Sequence, residues 1–404
     1  MIEMNNNKKQ HVGAGLVAFV GTYGAEPNAK GGGIFVVRVE DDGATLTVTS
    51  RVRQPVEAGY LAYAPETHTL YAVDERKTDG RGPVNPPGGV HALRVNPADG
   101  SLIPLNWLPA PGPRPTFLAH SAEQNLLVSA HHGDFQHVER VIKDAHGKWV
   151  SEFAYDDSTV VVFDLEKDGR LSSIQDVLVL SGHGVDPNNS PQMNGHAQAS
   201  PHAHCAVIDP TGKWLLVADK GTDRVFVYTL ETHPKLVSTC QFPEQTAPRH
   251  IAFSTRTRAY MTLELSSEVV TLEFHPDTGQ LQILARTSSI DHAFKGHNEP
   301  AEIRVHPNGR FVYVNNRGED SLAWFEVKAD GTLKRLGAVQ LAKSLHPGVA
   351  ARSFTFAPQG TFMLVADRPA GLLRAYQVDP DDGSLRACGQ VSIPEPAFVA
   401  FALL

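Results

Sequence analysis

The chain consists of short apolar segments, alternating or continuous, and a tight polar turn closes most of them. In six of these turns a glycine follows an acidic residue and a leucine ends the phrase, at residues 42–46, 99–102, 168–171, 277–281, 330–333 and 382–385. Gly279, Gly331 and Gly383 follow one another at intervals of 52 residues. A repeat of this length, made of strands joined by tight turns, predicts a radial array of small sheets.

A second phrase lies between these turns and defines the repeating unit. It consists of an apolar strand, the pattern x-Pro-x-Gly and a strongly apolar strand, and it occurs at residues 208–217, 306–314 and 357–365. Each unit therefore contains strand a, a turn, strand b, a loop, strand c, the Asp-Gly turn and strand d. This order predicts a four-stranded antiparallel blade of a β-propeller.

The two ends of the chain are incomplete units that complement each other. Six full units begin their strand a at Tyr60, Thr116, His202, His250, Glu302 and Ser353. Segments 17–21, 34–39 and 46–52 match strands b, c and d of a further unit, and 398–403 is a lone apolar strand. We therefore predict an all-β, seven-bladed β-propeller, closed by pairing of the C-terminal strand with the N-terminal strands. In this prediction residues 15–404 form one domain, and residues 1–14 are a flexible tail.

Composition and charge narrow the classes of partner. The chain has 404 residues with 34 Gly, 28 Pro and 41% hydrophobic residues, enough for a large core and for the turns of about 28 strands. It contains no apolar run long enough to span a bilayer, so no membrane partner is expected. A net charge of -8 without a basic stripe gives no reason to expect nucleic acid. No exposed interface is marked in the sequence, and we expect a monomer.

The cysteines and the first residues bear on the compartment. Two lysines precede an apolar stretch, as in a signal peptide, but residues 17–21 are needed as a strand and no Ala-x-Ala site follows them. Cys205, Cys240 and Cys388 are odd in number and lack metal or redox spacing. These features favour a reducing compartment and predict a cytoplasmic location.

Candidate chemistry lies at one edge of every blade. In an antiparallel pair, the start of strand a and the end of strand b meet at the same edge, so these positions gather around one mouth of the central channel. The strand a starts contain residues 201–204, 248–250, 298–302 and 351–352, and the strand b ends contain 74–75, 131–132, 219–220, 264, 316–317 and 367–368. Their arginines favour a substrate that carries carboxylate or phosphate. Polar groups that only line a wet channel are the alternative.

A histidine pair and two insertions belong to the same mouth. His202 and His204 are two residues apart on a strand, so one can face the channel while the other packs between blades. A zinc site would need a third ligand that the sequence does not place, and we predict neither a metal nor a cofactor. The polar segment 181–200 and the extra residues 134–156 leave from this rim and can form lids, although surface decoration is an alternative for the second.

Taken together, three stretches resemble the seven-bladed propeller lactonase family across residues 17–404. The stretches are 201–204 leading into 217–224, 247–250 with 264–267, and 300–303 with 316–321. The resemblance implies a catalytic histidine and glutamate in the His202/His204 pair and Glu264. It also implies site arginines at Arg249 and Arg317.

We predict that six further residues of the site contact the substrate. They are Gln198, Asp219, Glu302, Asn316, Arg352 and Arg368. The chain departs from the family pattern at Ala197-Gln198, His131-His132 and Asp367-Arg368, which affects phosphosugar specificity more than fold.

The resemblance implies an enzyme that handles lactones. Ester hydrolysis needs a base to deprotonate water and a cation or hydrogen-bond donor for the oxyanion, and Glu264 or a histidine can serve as the base. Arg249 or Arg317 can stabilise the oxyanion. Our first prediction is hydrolysis of an anionic sugar lactone such as 6-phosphogluconolactone. The alternatives are a cycloisomerase that lactonises 3-carboxy-cis,cis-muconate and a non-catalytic propeller that docks proteins.

Overall fold

Seven four-stranded antiparallel sheets make up the protein, as the sequence predicts. A computed structural model describes residues 15–24, 30–77, 88–190, 192–231 and 233–404. Residues 1–14, predicted to be a flexible tail, lie outside the described ranges. The strands of blades 1–3 are β1 (Leu16–Thr22), β2 (Gly33–Glu40), β3 (Thr45–Val52), β4 (Leu61–Ala64), β5 (Thr69–Val73), β6 (Gly89–Val95), β7 (Leu102–Pro109), β8 (Pro115–Ser121), β9 (Leu126–His131), β12 (Thr159–Leu165) and β13 (Leu171–Val179), with the extra hairpin β10 (His137–Lys143) and β11 (Trp149–Tyr155) inserted in blade 3.

Blades 4–7 follow without insertions between their strands. Their strands are β14 (Ala203–Ile208), β15 (Trp214–Asp219), β16 (Arg224–Thr229), β17 (Leu236–Gln241), β18 (Pro248–Phe253), β19 (Arg258–Leu263), β20 (Glu268–His275), β21 (Gln280–Ser288), β22 (Glu299–Val305), β23 (Phe311–Arg317), β24 (Ser321–Val327), β25 (Leu333–Gln340), β26 (Ser353–Phe356), β27 (Phe362–Asp367), β28 (Leu372–Val378) and β29 (Leu385–Ser392). The last strand is β30 (Pro396–Leu403), and two short 3-10 helices span Asp41–Gly43 and Met193–Gly195. No helix in these ranges is long and apolar enough to cross a membrane.

Blade 1 closes the ring in the predicted way. Its strand order is β3-β2-β1-β30, and β1 pairs antiparallel with both β2 and β30. Successive side chains of β1 and β30 point to opposite faces of the sheet, and most of these residues are buried between the neighbouring blades. Because the two chain ends share one sheet, the first and last blades have no open seam between them.

The Asp-Gly turns pack six of the seven blades against a neighbouring blade. All six turn glycines have positive φ, from 69° to 87°, and a Cβ added to any of them would come within 3.0 Å of a side chain at the start of strand b in the adjacent blade. The contacts are Gly43 with Phe362, Gly100 with Val17, Gly169 with Thr69, Gly279 with Trp214, Gly331 with Arg258 and Gly383 with Phe311. The repeated phrase is therefore an interface between blades as well as a turn.

This packing predicts unequal effects for two glycines of nearly equal backbone conformation. Gly383 and Gly309 have φ of 74° and 72°, but a Cβ at 383 would lie 2.8 Å from the Phe311 ring, while a Cβ at 309 would meet nothing within 4 Å. We expect Gly309→Ala to cost about 1 kcal/mol from backbone strain. Gly383→Ala should cost a further ~1–3 kcal/mol from overpacking. Urea unfolding measures the free energy of unfolding of both variants. Equal losses in Gly309→Ala and Gly383→Ala would contradict the role of the Asp-Gly turn as an interface between blades.

The two insertions meet at the rim of the propeller. The hydroxyl of Tyr155, at the end of β11, lies 3.4 Å from Nδ1 of His196 in the segment 181–200. The ring of His137 in β10 lies 5.7 Å from that of His196. Segment 181–200 is further held by Gln198, whose amide donates to Lys220 O and to Asp223 at 2.9 Å. The two insertions therefore contact each other through Tyr155, His137 and His196.

Candidate active site

A cavity of about 720 Å³ opens at the mouth where strands a begin and strands b end. Its wall includes both insertions, through Phe135 and Gln136 from one and Gln192 and Met193 from the other. The charged residues of its wall are Glu75, Arg114, Asp134, Lys220, Glu264, Glu299, Arg317 and Arg352, and the histidines are His132, His204, His297 and His346. The wall thus has four cationic side chains, four carboxylates and four imidazoles.

Bulges at the starts of the innermost strands aim side chains toward the axis. The pairing register shifts between Ala203 and Cys205, between Pro248 and Ile251, and between Pro300 and Ile303. These shifts surround His204, the pair 249–250 and Glu302. A bulge adds a residue to one strand and turns the local side chains away from strict alternation. The bulges therefore explain how these strands present their polar groups at the centre of the ring.

Glu264 is the centre of the charge network. It follows β19, its side chain is 3% exposed, and its Oε1 contacts Lys220. Its Oε2 lies 2.7 Å from Nε of Arg249 and 2.8 Å from Nη2 of Arg317. Nη2 of Arg317 also lies 2.9 Å from Glu299 Oε2. Three cations therefore meet on one buried carboxylate.

The network fixes the charge states of its members. Burial alone would raise the pKa of Glu264, but Lys220, Arg317 and Arg249 outweigh it and hold the pKa well below its usual range. Burial lowers the pKa of Lys220, which its contact with Glu264 offsets in part. Burial and the Arg317 charge lower the pKa of Arg249 to about 10. Glu264 thus remains a carboxylate with both oxygens engaged, which makes it a weak proton acceptor.

The two histidines of the pair have different surroundings. His204 lines the cavity, and its Nδ1 lies 3.1 Å from Nε2 of His250. His202 is 0% exposed and lies behind the wall, with Nδ1 2.8 Å from His132 O and its ring stacked on that of His132 at 4.5 Å. Burial lowers the pKa of His202 to about 4. Burial, together with Arg249 and His250, puts the pKa of His204 well below its usual range. Both imidazoles are neutral at pH 7.

Arg249, Arg317 and Arg352 are placed at different depths. Arg317 and Arg352 line the cavity, whereas Arg249 is 1% exposed and lies below the cavity floor. Arg352 donates to Tyr23 Oη at 2.8 Å and lies 3.7 Å from Glu75. Arg368 lies at the rim, where it bonds Glu395 at 2.7 Å. Only Arg317 and Arg352 of the predicted arginines can therefore contact a molecule in the cavity directly.

Four other residues predicted to contact substrate lie outside the wall of this cavity, and three of them support it from behind. Asp219 accepts from the backbone of His202 and Gly221 and from the Thr222 hydroxyl, and Asn316 is bonded to Ser289 O and the Ser321 hydroxyl. Gln198 holds the 181–200 segment, as described above. Glu302 lines a second cavity of about 380 Å³, formed by residues further along strands a and by the turns that follow them. That cavity lies toward the opposite mouth of the channel.

Cavity-lining side chains that the sequence prediction did not select stand next to residues that it did select or consider, as Lys220 does beside Asp219. At four strand b ends, the second residue of the pair lines the cavity: Glu75, His132, Lys220 and Arg317. The first residue of each pair is buried in supporting contacts: Asp74, His131, Asp219 and Asn316. Because side chains alternate along a strand, this regularity was present in the sequence. It would have selected Lys220 instead of Asp219 for the site.

The described ranges contain no group of three or more His, Cys, Asp or Glu side chains arranged to hold a metal ion.

A closed propeller with a charged, concave cavity and neutral imidazoles at one mouth is typical of enzymes that act on small polar molecules. The chain belongs to the seven-bladed β-propeller lactonase family, whose model (Lactonase, 7-bladed beta-propeller) matches residues 17–401. This membership supports a lactone-hydrolysing enzyme.

Individual relatives agree with the family match. A Bacillus subtilis protein named 6-phosphogluconolactonase is 28% identical over 391 residues, which cover 95% of this chain and 98% of the relative. The structure of a Pseudomonas aeruginosa periplasmic gluconolactonase is similar, with a TM-score of 0.79 and 27% identity, and the match covers 97% of this chain and 100% of that chain. A Lactobacillus plantarum protein has a TM-score of 0.79 at 26% identity, covering 96% and 99% of the two chains.

Proposed function

We propose that this protein hydrolyses the internal ester of a sugar lactone in the mouth cavity, with His204 as general base. The observation that carries the proposal is a neutral imidazole on the same cavity wall as Lys220 and Arg317. Nδ1 of His204 is hydrogen-bonded with His250, so Nε2 is the ring nitrogen that can bind a water molecule. Glu264, the other candidate base, is held in its ionised form by three cations and serves to position them.

The reaction follows from these groups. His204 accepts a proton from water as the water oxygen adds to the lactone carbonyl. Negative charge develops on the carbonyl oxygen, and Lys220 and Arg317 supply positive charge and N–H donors for it in a buried site. The ring C–O bond then breaks, and the protonated imidazole returns its proton to the leaving oxygen. The product is the open hydroxy acid, with one water consumed.

Charge balance in the cavity bears on the substrate. Each cation of the wall has a carboxylate partner: Arg114 lies 3.5 Å from Asp134, Arg352 3.7 Å from Glu75, and Lys220 and Arg317 contact Glu264. A phosphate would have to compete with these carboxylates for its donors. Sugar lactones are therefore the proposed class, and 6-phosphogluconolactone, named for the Bacillus relative, is the first compound to assay beside unphosphorylated gluconolactone.

Two other functions remain to be tested in the same assays. A muconate cycloisomerase would use the cations to hold carboxylates and an imidazole to protonate carbon, so 3-carboxy-cis,cis-muconate is the third compound to assay. A docking scaffold would need a broad apolar mouth, and the cavity wall is instead rich in charged side chains. Turnover of a lactone but not of the muconate supports hydrolysis. Turnover of the muconate alone would replace our proposal.

His204→Gln tests the role of the base. Glutamine retains hydrogen bonding but cannot accept the proton, so we expect kcat to fall about a hundredfold or more while KM changes little. His146→Asn, on the exposed turn between β10 and β11, is the control for loss of an imidazole. The measurement is lactone hydrolysis followed by acid release, with folding checked by circular dichroism. Native kcat in folded His204→Gln would remove His204 from the mechanism.

The proposed compartment is the cytoplasm. All three cysteines are free thiols, with Cys205 buried in the core, which fits a reducing environment. The similar Pseudomonas protein is periplasmic, so the location stays a prediction that fractionation of expressing cells can check.

A further inference from the structure

A line of three side chains runs from the mouth cavity toward the opposite end of the channel. His204, His250 and Glu302 come from β14, β18 and β22, the innermost strands of three successive blades. Nδ1 of His204 lies 3.1 Å from Nε2 of His250, and Nδ1 of His250 lies 3.6 Å from Oε1 of Glu302. All three residues are buried, with at most 5% of each residue exposed. The line thus connects the two cavities through the interior.

The carboxylate end of this line determines which nitrogen of His250 carries its proton. Nδ1 of His250 is buried and has no hydrogen-bond partner among the described residues, and Glu302 is the charged group beside it. Burial alone would raise the pKa of Glu302, but Arg304 and His250 outweigh it and lower the pKa, so the group is ionised. A carboxylate favours an N–H over a lone pair facing it. His250 therefore carries its proton on Nδ1 and presents a lone pair at Nε2.

We propose that Glu302 and His250 are positioning residues that set the tautomer of His204. Since His250 offers a lone pair at Nε2, the neighbouring Nδ1 of His204 must carry the proton to make a hydrogen bond. The Nε2 lone pair of His204 then faces the mouth cavity, in the form that a general base needs. The inference rests on the proposed function of His204. It assigns Glu302 and His250 to orientation of the base, although neither lines the mouth cavity.

The opposite tautomer would disable the site. If His250 carried its proton on Nε2, its lone pair would face the Glu302 carboxylate, and Nδ1 of His204 would have to accept. Nε2 of His204 would then hold a proton and could not take one from water. The arrangement resembles the general logic in which a carboxylate holds a catalytic imidazole in one tautomer, with a second imidazole placed between them.

The tautomer can be observed directly by nitrogen NMR of protein labelled with ¹⁵N-histidine. The His204 signals are identified by their loss in His204→Gln. We expect the wild-type protein to carry the His204 proton on Nδ1. His250→Phe, which removes the acceptor, should shift that proton toward Nε2, whereas His250→Gln keeps a carbonyl acceptor and should retain Nδ1–H. A wild-type His204 with its proton on Nε2 would overturn the proposal without any activity measurement.

Kinetics give a second readout. We expect His250→Phe to lower kcat about tenfold or more with little change in KM, and Glu302→Gln to act in the same direction, because both disturb the base without touching substrate. His250→Gln should recover part of the loss. The control is His91→Phe, which removes a half-buried imidazole, stacked on Trp107 in blade 2, and should leave kcat unchanged.

The two proposals fail in different ways. Native activity in His204→Gln would refute the role of His204 as general base. An inactive His204→Gln together with native kcat in both His250→Phe and Glu302→Gln would leave the base in place and refute the positioning role.

Discussion

Glu264→Gln is expected to lower kcat at least about a hundredfold and to lower the free energy of unfolding by about 3–5 kcal/mol. The substitution keeps the shape of the side chain but removes the charge on which Lys220, Arg249 and Arg317 converge. Removing one partner of a buried ion pair leaves the other charges uncompensated, which accounts for the loss of stability. The cations would also lose the positions from which they stabilise the oxyanion, which accounts for the loss of turnover.

A surface pair provides the matched control for this variant. Glu268 bonds Arg286 at the exposed end of β20, where water screens the charges. Glu268→Gln should change stability by about 0.5 kcal/mol or less and leave kcat unchanged. Urea unfolding and steady-state kinetics on both variants separate the two cases. A Glu264→Gln variant with native stability and native turnover would show that the charge cluster is not needed at the site.

The fold could be predicted because its information is local. Six of the seven blades have the Asp-Gly turn and three have x-Pro-x-Gly, so every blade carries at least one of the two phrases. The alternation of apolar residues between the turns gives the strands independently of the rest of the chain. The incomplete units at the two ends then required the closure seen between β1 and β30. The hairpin β10–β11 was expected only as extra residues, since its two strands make no repeat with the blades.

The site could be predicted only to the level of strand ends. The rule that strand a starts and strand b ends share a mouth brought His204, Glu264, Arg317 and Arg352 to one cavity. It could not give the depth of Arg249 or the direction of Glu302, because the bulges at these strands displace side chains from the regular alternation. A bulge depends on packing between blades, which a single sequence does not display.

The buried histidines in and behind the cavity wall are expected to make the protein sensitive to acid. Five imidazoles near the mouth have pKa values lowered by burial, to about 4 for three of them and well below the usual range for the other two: His131, His202, His250, His132 and His204. In the unfolded chain their pKa would be about 6.5. Below that pH the unfolded state binds more protons than the folded state, so stability is complete above about pH 6.5 and falls as pH decreases toward the folded values.

We therefore expect cooperative unfolding between about pH 6 and pH 4.5. Each histidine that stays neutral in the folded state lowers the free energy of unfolding by up to about 1.4 kcal/mol for each pH unit below the unfolded pKa. Five such histidines lower it by up to about 7 kcal/mol per unit, and the total stability of a protein is about 5–15 kcal/mol. Urea unfolding at a series of pH values measures this slope.

His131→Asn removes one buried imidazole whose Nε2 has no partner among the described residues, and it should reduce the slope by up to about 1.4 kcal/mol per unit. His146→Asn, on the exposed hairpin turn, should not change the slope. A stability that stays constant from pH 8 to about pH 5 would mean that these imidazoles are protonated inside the folded protein, and would also remove the argument that His204 is a neutral base.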